Sequence, residues 1–217
     1  MSDDHQPPFA SDQPGEARPI AERAVAALFV VAARDGWRRT TLAAIAAEGG
    51  IEPAELRARF ASREAVLDRF IRDLDREVLE GTLPRAEGET IRDRLFDVIM
   101  RRIDAIQRHR AGVLAVRTGL ARDPAAVLGH LPAGLASLRW MLDAAGVPTG
   151  GLAGLLRLNA LLLLMLPVGR AWERDHSEDL SATMAELDRA LSRAERGEAW
   201  LGRLPGCAPA RRAAPAG

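Results

Sequence analysis

The chain has 217 residues, of which 47% are hydrophobic, so it is long enough to bury a core, and its 30 basic and 30 acidic residues cancel. That balance excludes a global positive field that would draw the whole molecule to nucleic acid or to an anionic membrane, so any basic surface must be local. Ala, Leu, Arg and Glu are abundant and aromatic residues make up only 4%, which favours helices over strands. We therefore predict an all-α protein.

Both ends of the chain differ in composition from the middle. Residues 1–17 and 202–217 are biased toward Pro, Gly and Ala, which predicts disordered tails around a folded part that spans 18–201. The N-terminus lacks the basic flank and apolar core of a secretory signal, and the lone Cys207 cannot form an intramolecular disulfide. These features predict a cytoplasmic protein.

Apolar residues recur at helical spacing through the middle of the chain, and breaks at 81–90, 121–124 and 146–151 are typical of connections. The most apolar run, "LNALLLLMLPVG", lies between the polar Asn159 and the helix-breaking Pro167. It is shorter than the ~20 residues that a membrane span requires. We interpret it as a buried helix and expect no stable membrane insertion. The stripes that predict the other helices are Ile20–Val31, Leu67–Val78, Ile91–Ile106 and Leu180–Ala194.

The segment "TTLAAIAAEGGIEPAELRARF", residues 40–60, has the residue order of a helix-turn-helix. Ala46 is small enough to let two helices cross closely, and Gly50 tolerates the positive φ that a tight turn demands. Ile51 and Leu56 would fill the wedge between the helices. Pro53 suits the first turn of a second helix, predicted over 53–60, because its missing N–H would be unbonded there anyway.

The longer segment "AERAVAALFVVAARDGWRRTTLAAIAAEGGIEPAELRARFASREAVLDRFI" resembles the DNA-binding module of TetR/AcrR transcriptional regulators. The likeness includes a first helix that ends at Gly36, the start of the second helix at Thr40 and Thr41, and the sequence "FASREAVL", with Ser62 as the cap of the next helix. The resemblance implies an all-helical homodimer that binds double-stranded DNA. Its DNA-binding domain would span 18–62, and a ligand-binding and dimerisation domain would span 63–201.

The resemblance also implies which residues meet DNA. Arg57 and Arg59 occupy the place of an aromatic pair that usually touches the DNA backbone, and an arginine there could bind phosphate or a guanine edge. Glu52 and Glu55 depart from the family pattern, because like charge near phosphate lowers affinity. Between residues 18 and 63, eight arginines outnumber five acidic residues, although solvated surface charge is the alternative interpretation. The candidate DNA-binding residues are Arg38, Arg39, Thr41, Glu52, Arg57, Arg59 and Arg63.

The last helical stripe has the spacing of a helix-helix seam. Leu180, Met184, Leu187 and Leu191 are separated by steps of four, three and four, as the a and d positions of a coiled coil are. We predict a dimer interface there, with an ordinary core helix as the alternative. Ser177 is predicted to cap this helix.

The second half of the chain has a pattern that comprises Trp172, Asp175, Ser177, Asp179, Leu187, Asp188 and Arg189. Through it, residues 91–196 resemble the lipid-binding accessory proteins of coenzyme Q biosynthesis. That resemblance implies a TetR-like fold that holds an isoprenoid or lipid tail in a C-terminal cavity. A lipid- or quinone-binding accessory protein is therefore the alternative to a ligand-responsive DNA-binding regulator. The regulator is favoured because the turn and the local basic excess persist. The candidate ligand-binding residues, which could equally be core, are Phe96, Met100, Trp140, Leu161, Leu164 and Met165.

No residue pattern favours catalysis. The four histidines, His5, His109, His130 and His176, are isolated and lack the spacing of metal ligands. The glycine cluster at 146–154 lacks the Lys and Ser/Thr of a phosphate-binding loop. We predict a protein that is not an enzyme and that holds no cofactor or metal.

Overall fold

The computed structural model describes residues 19–82 and 88–201, with side chains to residue 196. The tails predicted to be disordered lie outside the described residues. Within these ranges the chain forms α-helices and one short 3-10 turn, Trp37–Arg39, and no strand, so the all-α prediction is confirmed. The helices are α1 Ile20–Asp35, α2 Leu42–Gly49, α3 Pro53–Arg59, α4 Arg63–Glu80, α5 Ile91–Gln107, α6 Arg110–Leu120, α7 Pro124–Ala144, α8 Gly151–Arg174 and α9 Ser181–Leu201.

The buried side chains form two cores. One lies among α1, α2, α3, the first turns of α4, and α6, and we call this part the head; its largest members include Leu28, Phe29, Trp37, Ile45 and Leu56. The other lies among the rest of α4, α5, α7, α8 and α9, and we call this part the body; it includes Ile99, Leu161, Val168, Trp172 and Leu187. Phe70 on α4 packs against both cores, so α4 runs from head into body. The predicted domain boundary after residue 62 stays a prediction.

Side chains predicted to cap helices occupy those positions in the head. The Thr41 hydroxyl accepts a hydrogen bond from the Ala44 N–H at 3.1 Å, and Ser62 accepts one from the Ala65 N–H at 3.3 Å. Each satisfies a backbone donor that the first turn of a helix leaves unpaired. These caps fix where α2 and α4 begin and thereby set the length of the segment that contains α3.

The start of α9 differs from the prediction. The helix begins at Ser181, and Leu180 before it adopts a left-handed conformation with φ of 53°. Ser177 lies four residues before the helix, but its hydroxyl accepts a hydrogen bond from the Ser181 N–H at 3.2 Å, so it does satisfy a donor of the first turn, as predicted. The buried Asp175 carboxylate satisfies a second one, since it accepts hydrogen bonds from the Thr183 N–H and hydroxyl, both at 2.7 Å, and from Ser177. The hydrogen bonds from Ser177, and then those from Thr183, hold the pKa of Asp175 well below its usual range.

α8 is longer and more exposed than predicted. It runs without a break through Asn159 and Pro167, so the apolar run is part of a 24-residue helix. Leu158, Leu161 and Leu164 are buried on one side, while the other side is open to solvent. The interpretation of the apolar run as a buried helix therefore holds for one face of α8 and is wrong for the other. By length and composition alone, α8 is the one helix among the described residues that could cross a membrane.

Candidate nucleic-acid interface

The corner between α2 and α3 has the predicted geometry. Gly50 ends α2 in the left-handed region, with φ of 58° and ψ of 37°, where a β-carbon would be strained. The Ile51 N–H bonds to the Ala46 carbonyl at 2.9 Å and closes the turn. Ala46, Ile51 and Leu56 are all buried between the helices. Pro53 is in the first turn of α3, so the helix-turn-helix prediction is confirmed.

Arg23 of α1 holds this corner from behind. Its Nε and Nη2 atoms donate to the Gly49 carbonyl at 3.1 and 2.9 Å, and Nη2 also donates to the Gly50 carbonyl. These carbonyls at the end of α2 would otherwise lack partners inside the helix. Sequence reasoning missed Arg23, because nothing in the local pattern of α1 indicates a contact with a turn 26 residues away.

α3 presents most of its surface to solvent. Leu56 is its one buried side chain, and at 100° per residue the helix places Ala54 and Ala58 on the opposite side, with Glu55 and Arg57 flanking them. Ala54 and Ala58 are therefore the residues that project farthest from the head, and each presents only a methyl group. The sequence analysis did not single out Ala54 and Ala58, although helical spacing from Leu56 would have found them.

Four of the predicted DNA-binding arginines are exposed. Arg38 and Arg39 lie in the 3-10 turn that precedes Thr41, and Arg57 and Arg59 lie on α3. Arg57 Nη1 donates to the Ala61 carbonyl at 2.6 Å, which draws its guanidinium along the C-terminal end of α3. Positive charge is therefore exposed at two places in the head, the 3-10 turn before α2 and the C-terminal half of α3.

Arg63 does not belong to this exposed group. Its guanidinium donates to the Trp37 carbonyl at 2.5 Å and to the Thr40 carbonyl at 2.8 Å, and it pairs with Glu64 at 2.8 Å. Its side chain is only 22% exposed. The structure thus uses Arg63 to join α4 to the 3-10 turn, and a phosphate would have to compete with two backbone carbonyls for its donors.

The acidic residues of the head also differ in their surroundings. Arg34 pairs with Asp35 at 3.0 Å and with Glu48 at 2.7 Å, so its single positive charge offsets one of the two negative charges of these carboxylates. The hydrogen bond from Arg34 lowers the pKa of Asp35. Glu52, by contrast, is exposed at the start of α3, and its side chain makes no capping hydrogen bond. Glu52 and Glu55 therefore contribute negative charge directly beside the arginines of α3.

α6 packs against the rest of the head through two close contacts, one with α1 and one with the 3-10 turn. A β-carbon on Gly112 would lie 2.5 Å from the Phe29 carbonyl oxygen, and one on Gly119 would lie 2.3 Å from the Trp37 β-carbon. Both distances are shorter than packed atoms allow. Only glycine at these two positions lets α6 approach α1 and the 3-10 turn so closely.

An aromatic cluster lies where the head meets the body, around Phe70. The His109 ring, just before α6, stacks on Phe29 with centroids 4.8 Å apart and meets the edge of Phe70 at 5.8 Å. Burial lowers the pKa of His109, which favours the neutral ring. His130 lies elsewhere, with Nδ1 2.9 Å from Asp68. Among the described residues no group of three His, Cys, Asp or Glu side chains converges on a metal-sized site.

The structure separates the predicted ligand-binding residues. Leu161 and Leu164 are buried in the body core, with Phe96, Met100 and Met165 packed against its edge, whereas Trp140 is 53% exposed. Trp140 borders a cavity of about 10 Å³, room for a single water molecule. Phe96 instead borders a surface groove of about 210 Å³.

A buried ion pair lies beside the small cavity. Arg102 of α5 pairs with Asp75 of α4, which also accepts a hydrogen bond from the Ser137 hydroxyl of α7 at 2.5 Å. Burial lowers the pKa of Arg102, although Asp75 opposes that shift. These three helices are therefore joined by a polar contact inside an apolar core.

The predicted dimer seam on α9 lies inside the protomer. Leu180, Leu187 and Leu191 are buried in the body core, and Met184 is half-buried. Their stripe packs α9 onto other helices of the same chain, as the alternative interpretation expected. These leucines have no free surface for a second subunit.

Solved structures of other proteins have the same fold as this chain. No protein-family model matches the sequence, and no curated protein is similar to it. The TetR transcriptional regulator from Nitrosomonas europaea ATCC 19718 superimposes with a TM-score of 0.64 at 22% identity, over 84% of this chain and 99% of that one. A TetR transcriptional regulator from Rhodococcus sp. RHA1 gives a TM-score of 0.56 at 22% identity, over 79% of this chain and 92% of that one. The chain therefore has the fold of these TetR proteins.

Proposed function

We propose that this protein is a dimeric, DNA-binding transcriptional regulator of the TetR type, and a binding protein rather than an enzyme. The observation that carries the proposal is the α2–α3 corner, which leaves the outer side of α3 exposed, with the exposed Arg57 beside it. Such a helix has the size and exposure to enter the major groove. The two solved structures that share the fold are each described as a TetR transcriptional regulator, which supports the proposal.

In this proposal α3 enters the groove with Ala54 and Ala58 foremost. Their methyl groups suit apolar contact with thymine methyls, and Arg57 beside them suits a guanine edge or a phosphate. Arg38 and Arg39 lie before the N-terminus of α2 and bind phosphates of the DNA backbone. Positioning thus comes from the 3-10 turn, and sequence preference comes from α3.

The affinity of one head is expected to be modest. Glu52 and Glu55 repel phosphate, and Arg63 and Arg34 are engaged within the head. Binding therefore requires two heads in one dimer, with half-sites on one face of the DNA. If about six phosphates are contacted in total, affinity falls roughly a thousandfold between about 50 and 200 mM salt.

We further propose that the body senses an apolar small molecule or lipid. The partly buried Phe96, Met100 and Met165 at the edge of the core support this idea, because a ligand could reach them with less repacking than Leu161 requires. Binding there would move α5 or α8 against α4, which continues into the head.

The test is selection of genomic fragments by the purified protein, followed by gel-shift titration of the selected fragment at several salt concentrations. We expect one fragment to bind much more tightly than random duplex. Replacing both Arg38 and Arg39 by Ala should weaken binding and reduce the salt slope by about two per head. Arg139→Ala, at an exposed position on α7, is the matched control and should change neither.

The regulator proposal would be contradicted if the protein bound every duplex with equal affinity and if organic extraction of the purified protein yielded an isoprenoid lipid. The lipid-binding accessory protein would then be the better description of its function.

A further inference from the structure

The buried ion pair of the body has one satisfied end and one open end. The Asp75 carboxylate accepts hydrogen bonds both from Arg102 and from the Ser137 hydroxyl. The Arg102 guanidinium has several N–H donors, but Asp75 is its only acceptor among the described residues. The Arg102 and Asp75 side chains are only 17% and 12% exposed, so bulk water reaches them poorly. Buried polar groups are seldom left so incompletely paired, and the unpaired donors call for an acceptor.

The same pair borders the small cavity between α4, α5 and α7. Arg102 and Asp75 are the charged residues of its wall. The rest of the wall is apolar and is formed by Val78, Leu79, Val98, Trp140, Met141 and Ala144. Apolar walls with a few polar groups that orient a ligand are typical of small-molecule sites. The cavity therefore has the chemistry of a binding site, although its volume of about 10 Å³ admits a single water molecule.

Trp140 covers this space and is only half-buried. It is 53% exposed, although its side chain borders the cavity. Trp172, by contrast, is buried, and its indole N–H donates to the Gln107 side chain at 2.8 Å. Because much of Trp140 is already in water, turning its ring outward removes little further apolar surface from the core. That rotation would enlarge the cavity by the space of an indole ring, and the flexible side chain of Met141 can adapt to a new neighbour.

The charge of the ion pair decides which ligand suits the enlarged pocket. Arg102 and Asp75 neutralise each other, and burial lowers the pKa of Arg102 because the surroundings solvate its charge poorly. A carboxylate ligand would add an uncompensated negative charge, and an ammonium ligand would add a positive one. Either charge would be buried without a partner, which is strongly unfavourable. A ketone or lactone carbonyl can instead accept from Arg102 and leave the site neutral.

We propose that this pocket binds an uncharged, flat bicyclic molecule whose carbonyl oxygen accepts a hydrogen bond from Arg102. The inference rests on the proposal that the body senses an apolar small molecule, and it names the class of that molecule. Asp75 and Ser137 hold the guanidinium in place, and Trp140 moves aside to admit the ligand. The ligand then contacts α4, which continues into the head.

Three naphthalene derivatives of similar size test the class of ligand, by equilibrium dialysis against the full chain. 2-Acetylnaphthalene offers a carbonyl, 2-ethylnaphthalene has no acceptor, and 2-naphthoate carries a negative charge. We expect the ketone to bind, and the anion to bind more weakly than the ketone. Tighter binding of the anion, or no binding of the ketone up to its solubility limit, would overturn the proposal.

A double variant measures the contribution of Arg102. Arg102→Met is combined with Asp75→Leu, because deleting one charge alone would leave the other buried and unpaired. The preference for ketone over hydrocarbon, taken as the ratio of their dissociation constants, should fall about tenfold or more when the charged donor is lost. An unchanged ratio would refute the hydrogen bond to Arg102.

An exposed ion pair between the same two helices supplies the matched control. Arg108 of α5 pairs with Glu77 of α4 at 2.5 Å, and both side chains lie in solvent away from the cavity. Arg108→Met combined with Glu77→Met should leave the ratio of dissociation constants as it is in the wild type. A fall of the same size in this control would mean that the ratio reports loss of charge in general and would overturn the assignment to Arg102.

Fluorine NMR locates the bound probe. The chain has four tryptophans, and 5-fluorotryptophan labelling gives each a resonance, with that of Trp140 identified by its loss in Trp140→Phe. Saturation with 2-acetylnaphthalene should shift the Trp140 resonance more than the other three. A larger shift at Trp172 or Trp37 would place the probe elsewhere and overturn the proposal.

Gel shifts with the same protein separate this inference from the proposed function. If the ketone binds as described but no DNA fragment is bound selectively, the regulator fails and the pocket stands. If a fragment is bound selectively but the ketone preference survives loss of the ion pair, the regulator stands and this inference fails. If the hydrocarbon binds as tightly as the ketone and also shifts Trp140, the body senses apolar molecules but the proposed ligand class is wrong.

Discussion

The guanidinium of Arg63 lies 4.5 Å above the ring of Trp37 and donates a hydrogen bond to the carbonyl of the same residue. This contact joins the first turn of α4 to the 3-10 turn before α2. Gly119 of α6 packs against Trp37 as well. Three separate parts of the chain thus meet at Trp37, and Arg63 belongs to the framework of the head.

Replacing Arg63 by Ala should destabilise the protein. The substitution removes a cation–π contact and leaves the Trp37 and Thr40 carbonyls without a charged donor, for an expected loss of about 1–3 kcal/mol. Denaturant unfolding followed by circular dichroism measures it. Arg39→Ala, at an exposed position in the same part of the head, is the control and should leave stability within about 0.5 kcal/mol. Equal stability of the two variants would show that Arg63 has no structural role.

Removing the negative charges of α3 should strengthen DNA binding. Glu52→Gln and Glu55→Gln keep the shape of each side chain but eliminate its repulsion of phosphate. We expect roughly a two- to fivefold gain in affinity per substitution at low salt, shrinking as salt screens the charge. Gel-shift titration measures the gain. Glu22→Gln, also exposed but on α1, serves as a comparison, and a gain of the same size there would place the DNA-binding surface elsewhere.

The close packing of α6 predicts a large effect from a single methyl group. Gly112→Ala forces a β-carbon into the Phe29 backbone, and overpacking of this kind costs about 1–3 kcal/mol. Gly129→Ala on α7 is the matched control, because no atom lies within 4 Å of the added carbon. In a helix it should stabilise by roughly 0.5–1 kcal/mol. Thermal unfolding of both variants measures the difference, and a neutral Gly112→Ala would mean that α6 and α1 lie farther apart.

We expect the free energy of unfolding to depend on pH because of Asp175. Its hydrogen bonds with Ser177 and Thr183 lower its pKa, so the folded protein holds the charged form more readily than the unfolded chain does. The resulting stability is present above pH ~4, the ordinary pKa of an aspartate, and is lost as pH falls through the lowered folded value. Asp175→Asn should lower the unfolding temperature at pH 7 on the order of 5 °C.

The control for that measurement is Glu178→Gln, at an exposed position in the same loop. The difference between wild type and Asp175→Asn should shrink in acid. A difference that stays constant from neutral pH to pH ~3 would contradict the role given to Asp175.

The helix-turn-helix was predictable because its signals are local. Gly50 needs a backbone conformation that other residues avoid, and Thr41 and Ser62 cap helices that start immediately after them. Each of these requirements is met by residues within four positions along the chain. Sequence alone therefore gave the corner, its bounds and the exposed arginines of α3.

The partners of the apolar stripes were not predictable, since periodicity shows that a face is apolar but not what covers it. The stripe of Leu180, Leu187 and Leu191 packs inside its own protomer, whereas α8, interpreted as buried, leaves Leu152 and Leu163 in solvent. Arg63 illustrates the same limit, because its carbonyl partners lie 26 and 23 residues away. Long-range contacts of this kind are set by the tertiary fold.

The two glycines of α6 leave no slack between that helix and the head. Where side chains of ordinary size separate two helices, a small displacement is absorbed by changes of rotamer, but Gly112 and Gly119 touch backbone and ring directly. Displacing α6 would therefore press directly on the Phe29 backbone and the Trp37 ring, with no layer of side chains between them to adjust. The position of α6 and the position of the 3-10 turn are thus a single structural variable.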